Sequence, residues 1–201
     1  MARQPTTNES MDSNPEALLL EQVRRGDAAA FERLFLRHYG QVYRVLYGLT
    51  GSREEAEDLA QETFLAFYHH PPALETGATL TAWLCRVALN RGYNALRGQR
   101  RAQRRIERFA EPPAHVDPHA ELLRAEERMH VRAAIAELPD RQGRLLLLRH
   151  AGLSYAEIAG ALDIAPGSVG TLLARAERAF LATYERLNHA RRTETLDTRT
   201  P

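Results

Sequence analysis

Apolar positions recur at three- and four-residue intervals along almost all of the 201-residue chain, which is the period of an α-helix with one buried face. The clearest run is Phe31, Leu34, Phe35, Tyr39, Val42, Val45, Leu46 and Leu49, and it predicts a helix from Ala28 to about Thr50. A shorter helix precedes it. Pro15 suits its first turn, Gly26-Asp27 stops it near Arg25, and Asp27 can cap the next. Gly51 closes the second helix and Ser52 opens a third, where Ser52 and Glu55 fit an S-x-x-E capping box. Leu59, Phe64, Leu65 and Phe67 give that helix its apolar surface until His69-His70-Pro71-Pro72 end it. After the loop PPALETGA, a long helix is expected from about Thr79 to Phe109. The stretch AEPPAHVDP has three prolines and no periodicity, and reads as a linker. From about His119 four more helices follow, broken at Leu138-Pro139-Asp140, at Gly152–Ser154 and at Asp163–Gly167. Neither β-type alternation nor an internal repeat is visible. The expected fold is all-α: two small helical domains, residues 15–109 and 119–188, joined by a flexible linker at 110–118. Residues 1–14 read as a disordered N-terminal segment and 189–201 as a C-terminal tail.

Charge sharpens this picture through its placement. The chain has 27 strong bases, all arginine, against 26 acids, for a net charge of +1. Residues 54–62 (EEAEDLAQE) carry five acids and no base, whereas residues 86–108 carry eight arginines against Glu107 alone. Segregation of this kind points to one basic and one anionic partner. At about 100° per residue, Arg86, Arg97, Arg100, Arg101, Arg104 and Arg108 fall within an arc of about 100°. Asn90 lies inside that arc and Asn94 beside it, while Leu84, Ala88, Leu89, Ala95 and Leu96 lie opposite. Arginine forks match phosphate oxygens and asparagine can read a base edge. A solvated charged face is the plainer alternative.

A second candidate for nucleic acid lies at Leu153–Arg175, LSYAEIAGALDIAPGSVGTLLAR, which reads as helix, tight turn, helix. Ser154 caps a helix carrying Ile158, Ala159 and Leu162, and Ile164, Val169, Leu172 and Leu173 complete an apolar wedge. Pro166 and Gly167 open the second helix. A helix-turn-helix places the N-terminal residues of such a helix in a major groove, and Ser168, Thr171 and Arg175 are the polar side chains best placed there. The alternative is a helical hairpin in a structural bundle.

Four stretches in order, GDAAAFERLFLRHYGQVYRVLYGLTG, EEAEDLAQETFLAFY, TAWLCRVALNRGYNALR and AIAELPDRQGRLLLLRHAGLSYAEIAGALDI, resemble the extracytoplasmic-function (ECF) group of the sigma-70 family of bacterial RNA polymerase sigma factors. The resemblance covers roughly residues 16–188. It implies a region 2-like bundle in the first domain and a region 4-like helix-turn-helix domain in the second. It implies core RNA polymerase as partner, through the β′ clamp coiled coil and the β flap, with Glu57, Asp58, Gln61, Glu62 and Leu65 as the clamp-binding face. Recognition and melting of a promoter −10 element would fall to Pro72, Ala73, Leu74 and Glu75 of the loop and to Asn90, Arg91, Asn94, Arg97, Arg100, Arg101 and Arg104 of the arginine helix. That loop has no aromatic of its own, so a pocket for an unpaired base must borrow Tyr68 or backbone groups. Recognition of a −35 element would fall to Ser154, Tyr155, Pro166, Gly167, Ser168, Thr171 and Arg175. Arg144, Arg149 and Arg178 are further phosphate-contact candidates. An anti-sigma factor is a further partner the resemblance implies.

The chain departs from the family in its recognition helix, which usually begins T-V-K-S-R-L. Ser168-Val169-Gly170-Thr171-Leu172-Leu173 stands there instead, with Gly170 and Leu172 where bases are expected. Asp163 replaces the usual turn glycine, a left-handed position that Asp tolerates. Weaker or altered −35 binding is the expectation.

Other chemistry is expected to be absent. Cys85 is the sole cysteine, so an intramolecular disulfide is impossible and a cysteine-based zinc site is not expected, and it falls on the buried side of its helix. Trp83 reads as a core anchor. His115 and His119 straddle Pro118, and His69 and His70 are adjacent, so neither pair shares a helical face for a metal. Without a phosphate-binding loop, HExxH or GxSxG, no enzyme and no cofactor are expected. No apolar run approaches about 20 residues and MARQPTTNES lacks an apolar signal core, so membrane insertion is not expected and the cytoplasm is the expected location. Two other function classes fit part of the pattern. A stand-alone helix-turn-helix regulator has no need of the acidic 54–62 helix. A sigma-like interaction protein or decoy that does not initiate transcription would accommodate Gly170 and Leu172.

Overall fold

The computed structural model describes residues 15–74, 78–106 and 119–197. Eight α-helices account for almost all of them: α1 (Pro15–Arg24), α2 (Ala28–Thr50), α3 (Arg53–His69), α4 (Leu80–Ile106), α5 (His119–Glu137), α6 (Asp140–His150), α7 (Tyr155–Leu162) and α8 (Val169–Asp197). A 3-10 turn at Pro166–Ser168 leads into α8. No strand occurs among the described residues. The linker at 110–118 lies outside them, and the segment read as a tail from 189 continues α8 to Asp197.

Helix ends follow the local chemistry. Asp27 accepts from the backbone N–H groups of Ala29 and Ala30, satisfying two donors that the first turn of α2 leaves open. Gly51 ends α2 in a left-handed conformation at φ 71°. A Cβ there would also lie 2.1 Å from Nε of Arg132 on α5, so a larger residue would have to displace that side chain. Ser52 caps α3 by accepting from the Glu55 N–H. The reciprocal half of the expected capping box is not made: the Ser52 N–H donates to Thr50 Oγ1, and the Glu55 carboxylate takes the side-chain amide of Gln99 on α4.

In the first half, α2 is the spine, with α1, α3 and α4 packed on it. Leu34, Val42, Val45 and Leu46 meet Ala60, Phe64 and Phe67 of α3 and Leu84, Ala88 and Leu89 of α4, all fully or almost fully buried. Along the α2–α3 seam Phe31, Phe35, Tyr39, Tyr43 and Tyr47 form a ladder of ring contacts. In the second half, α6 and α7 pack with α8, which also receives α5. Leu145, Leu148, Leu153, Ile158, Val169 and Leu173 fill that core. The two halves are not separate beads. α7 lies on α4 and α6 on α2, so one continuous apolar core runs through both.

Candidate nucleic-acid interface

The acidic face lies on α3. Asp58, Gln61, Glu62 and Leu65 are exposed and Glu57 is half-buried, with Leu65 56% accessible despite being apolar. Two of the acids have arginine partners: Arg53 Nε donates to Glu57 at 2.8 Å and Arg91 to Glu62 at 2.7 Å. Arg91 therefore points at α3, to the flank of the arginine strip rather than along it. Both pairs are at the surface, where an ion pair contributes about 0–1 kcal/mol and is readily exchanged for another partner.

After α3 the chain turns at Pro71 and Pro72, which are half-buried; Ala73 is exposed. Leu74 is tucked against the core, where it lines a cleft of about 260 Å³ with Glu16, Leu20, Arg24, Ala78 and Thr79. Glu75 lies outside the described residues. Tyr68 is 43% accessible and sits edge-on to Phe31, ring centroids 5.0 Å apart, at the rim of the aromatic ladder.

On α4 the expected division of faces holds. Leu84, Ala88 and Leu89 are buried, Ala95 and Leu96 half-buried, and Arg86, Asn90, Asn94, Arg97 and Arg101 exposed. The side chains of Arg100 and Arg104 lie outside the described ones. Toward its start this surface is engaged by the second half of the molecule. Arg86 donates through Nε to the Ala161 carbonyl at 3.1 Å and through a second nitrogen to the Gly160 carbonyl. Asn90 Oδ1 accepts from Arg144 at 2.8 Å, and Arg97 lies 3.6 Å from the Asp140 carboxylate. Tyr93, which falls in the same arc, carries the Arg144 guanidinium 4.7 Å above its ring and donates to the Asp140 carbonyl. Its place in the pattern was visible as the one aromatic among the strip's arginines, but it reads there as ordinary half-buried surface.

The helix-turn-helix is formed by α7, the turn and the start of α8. Ser154 and Glu157 make a complete capping box at the start of α7. Asp163 takes the left-handed turn position at φ 54°, ψ 56°. Ile158, Val169 and Leu173 are buried beneath it, with Ile164 and Leu172 packed beside them. Ser154, Tyr155, Pro166, Gly167, Ser168, Thr171 and Arg175 are all exposed. Arg141 joins Gly167, Ser168, Thr171 and Arg175 around one open groove. Arg149 lies over the Tyr155 ring at 5.6 Å, Arg178 donates to the Ala174 carbonyl, and Arg144 is held in the α4 seam. Leu172 is half-buried against the core and also lines the edge of that groove. Gly170 differs: a Cβ there would meet only the Tyr155 ring, at 3.6 Å.

Cys85 is buried, and burial pushes its thiol up to about 12, well away from a reactive thiolate. Among the described residues no group of three or more His, Cys, Asp or Glu side chains is arranged to hold a metal, and no helix is long and apolar enough to cross a membrane.

Comparison with known proteins coincides with this division. The family model described as Sigma-70 region 2 matches residues 34–102, and that described as Sigma-70, region 4 matches residues 128–180. The chain is 31% identical over 173 residues to the RNA polymerase sigma-H factor of Pseudomonas aeruginosa, covering 81% of this chain and 90% of that protein. It is 30% identical over 169 residues to the ECF RNA polymerase sigma-E factor of Haemophilus influenzae, covering 79% and 89%. The fold is also that of the sigma factor RpoE of Bartonella quintana, solved in complex with the anti-sigma factor NepR (TM-score 0.54, 21% identity, 77% of this chain and 96% of that one).

Proposed function

The chain is a sigma factor of the ECF group of the sigma-70 family, and from that premise we propose that it binds core RNA polymerase through α3 and directs it to promoters through two DNA-reading surfaces. The observation that carries this reading is the pairing, within the region 2 match, of an exposed acidic face on α3 with an arginine and asparagine face on α4. An acidic surface crowned by exposed Leu65 suits a basic coiled coil, so Glu57, Asp58, Gln61, Glu62 and Leu65 dock on the β′ clamp. Asn90, Asn94, Arg97, Arg100, Arg101 and Arg104 follow the −10 DNA, with Arg91 at their flank, while the loop from Pro72 through Ala73 and Leu74 to Glu75 receives an unpaired base. Ser154, Tyr155, Pro166, Gly167, Ser168, Thr171 and Arg175 meet the −35 major groove, and residues 119–188 as a domain contact the β flap. Phosphodiester chemistry stays with the polymerase. An anti-sigma factor is the natural antagonist, as in the structural neighbour solved with one.

The test is run-off transcription from sheared genomic DNA with core polymerase, with and without the protein. Discrete new transcripts should appear, and should vanish for the Asp58→Arg/Glu62→Arg variant while its helix content is unchanged. Core binding without any transcript would support the decoy instead. Duplex binding by the protein alone, indifferent to those reversals and to polymerase, would support a stand-alone regulator.

A further inference from the structure

We propose that the cleft between α2, α4, α5 and the start of α6 is a binding site for a small amphipathic monoanion, a carboxylate on a compact apolar body, with Arg132 as the group that takes the carboxylate. This goes beyond promoter reading and does not depend on it.

The cleft has a volume of about 270 Å³ and is lined in part by Leu49 of α2, Leu96 of α4 and Ile135 of α5. Leu49 is buried, whereas Leu96 and Ile135 are only half-buried against the core and leave apolar surface to the cleft. Three charged side chains join them: Arg97, Arg132 and Asp140. Arg97 and the Asp140 carboxylate lie 3.6 Å apart and balance each other. Arg132 is left as the uncompensated charge of the lining. It is half-buried on α5, and among the described residues no hydrogen bond, ion pair or ring contact is found for it. Its place is nevertheless defined. A Cβ at Gly51 would lie 2.1 Å from its Nε and 2.3 Å from its Cζ, so the guanidinium occupies the room that the glycine leaves.

A cation drawn partly out of water calls for a partner. Arginine presents a rigid planar fork of donors that matches both oxygens of a carboxylate. A placed and unpaired fork beside apolar walls is therefore complementary to an acid that carries an apolar body, the usual make-up of a small-molecule site, and such sites commonly form where two halves of a molecule meet. Size and charge narrow the class. The cleft falls just short of the about 300–1,000 Å³ typical of sites for drug-sized ligands, so a medium-chain or single-ring acid fits and a full-length lipid or a nucleotide does not. The two arginines and one aspartate of the lining sum to a single positive charge, which a monoanion neutralises and a polyanion overshoots.

The test titrates hexanoate into the isotopically labelled full chain and follows amide and methyl NMR shifts. Saturable shifts should appear at Leu49, Leu96 and Ile135, with half-saturation at about 1–10 mM, as expected for a ligand of so few atoms. Hexanol, the same body without the charge, and acetate, the charge without the body, should each bind about tenfold more weakly or worse, since a hydrogen bond to a charged group and the burial of the chain each contribute at least that factor. Arg132→Gln should weaken hexanoate about tenfold at unchanged helix content and leave hexanol as it was. Ala136 is exposed and lines the same cleft, so Ala136→Trp should fill it and abolish binding of both. That variant decides the matter should Arg132→Gln fail to fold. Absence of saturable shifts, hexanol binding as tightly as hexanoate, a folded Arg132→Gln protein with native affinity, or hexanoate shifts untouched by Ala136→Trp would each overturn the site.

Discussion

His38, Thr63 and Thr81 are the polar side chains buried in the described part of the molecule, and each must find a partner or forfeit about 1–3 kcal/mol. Thr63 bonds back to the Leu59 carbonyl one turn earlier. His38 and Thr81 solve the problem together, Nδ1 to Oγ1 at 3.2 Å, which ties α2 to the start of α4. The other ring nitrogen of His38 faces the Glu16 carboxylate at 3.3 Å, within ion-pair reach though poorly aligned as a hydrogen bond, and Arg37 approaches the same carboxylate at 3.4 Å. Glu16 is held below its ordinary value of 4.5; the His38 contact is the largest influence, partial burial opposes it, and Arg37 adds to it. A carboxyl whose value is depressed by folding stabilises the fold fully above its unfolded value, and that contribution is lost as pH falls through the folded one. Urea denaturation as a function of pH should therefore show an acid limb below about pH 4.5 that is shallower in Glu16→Gln, with the variant less stable at neutral pH. Equal acid limbs in the two proteins would show that α1 is not pinned by this carboxylate.

At the scale of elements, helix boundaries were legible because they are set by few residues with one job each. Asp27, Gly51, Ser154 and Asp163 occupy the capping and turn positions their chemistry selects. The Ser52–Glu55 box is only half made, since a motif names the residues able to bond but not the rival that takes them, here Gln99 across the seam. Leu172 and Gly170 show the same limit in the recognition helix. Both stand where a basic residue is usual, yet Leu172 is half-buried against the core at the edge of the groove, and a Cβ at Gly170 would make ordinary contact with the Tyr155 ring alone. The two departures thus differ: one packs partly on the core, and the other leaves out a side chain beside Tyr155. Gly170→Lys should raise helix stability by up to about 1 kcal/mol. If position 170 faces the −35 backbone, it should also tighten duplex binding across sequences and steepen the logarithmic salt dependence by about one. An unchanged slope in an anisotropy titration over salt would mean that this position does not reach a phosphate. Leu172→Arg should instead cost stability, because it carries a charge into packed surface.

The whole molecule was the least legible level. Periodicity reports that a helix has an apolar side; it does not report which other helix covers it. The arginine strip reads as a free surface because its residues are polar, and only the packing reveals that Arg86, Asn90 and Tyr93 are hydrogen-bonded to groups of α6 and α7. Gly48 and Gly160 carry no signal in sequence, since their role is the absence of a side chain at a contact between residues far apart in the chain, Gly48 with Leu147 and Gly160 with Ala82 across the seam. The shared core has a thermodynamic consequence. Cooperative unfolding extends as far as burial is shared, so two modules with one continuous core should melt together, with calorimetric and van't Hoff enthalpies equal. If the seam is the joint, spoiling it without touching either interior should uncouple them. Gly160→Gln should do this, since already its Cβ would come within 3.3 Å of the Ala82 Cβ across the seam. Scanning calorimetry should show one transition for the native chain and two overlapping transitions, or a van't Hoff enthalpy below the calorimetric one, for the variant. The module that melts earlier should be the second, which loses the cover of α2 and α4 while the first keeps its four-helix packing. Two transitions already present in the native protein would mean that the seam contributes too little to couple the modules.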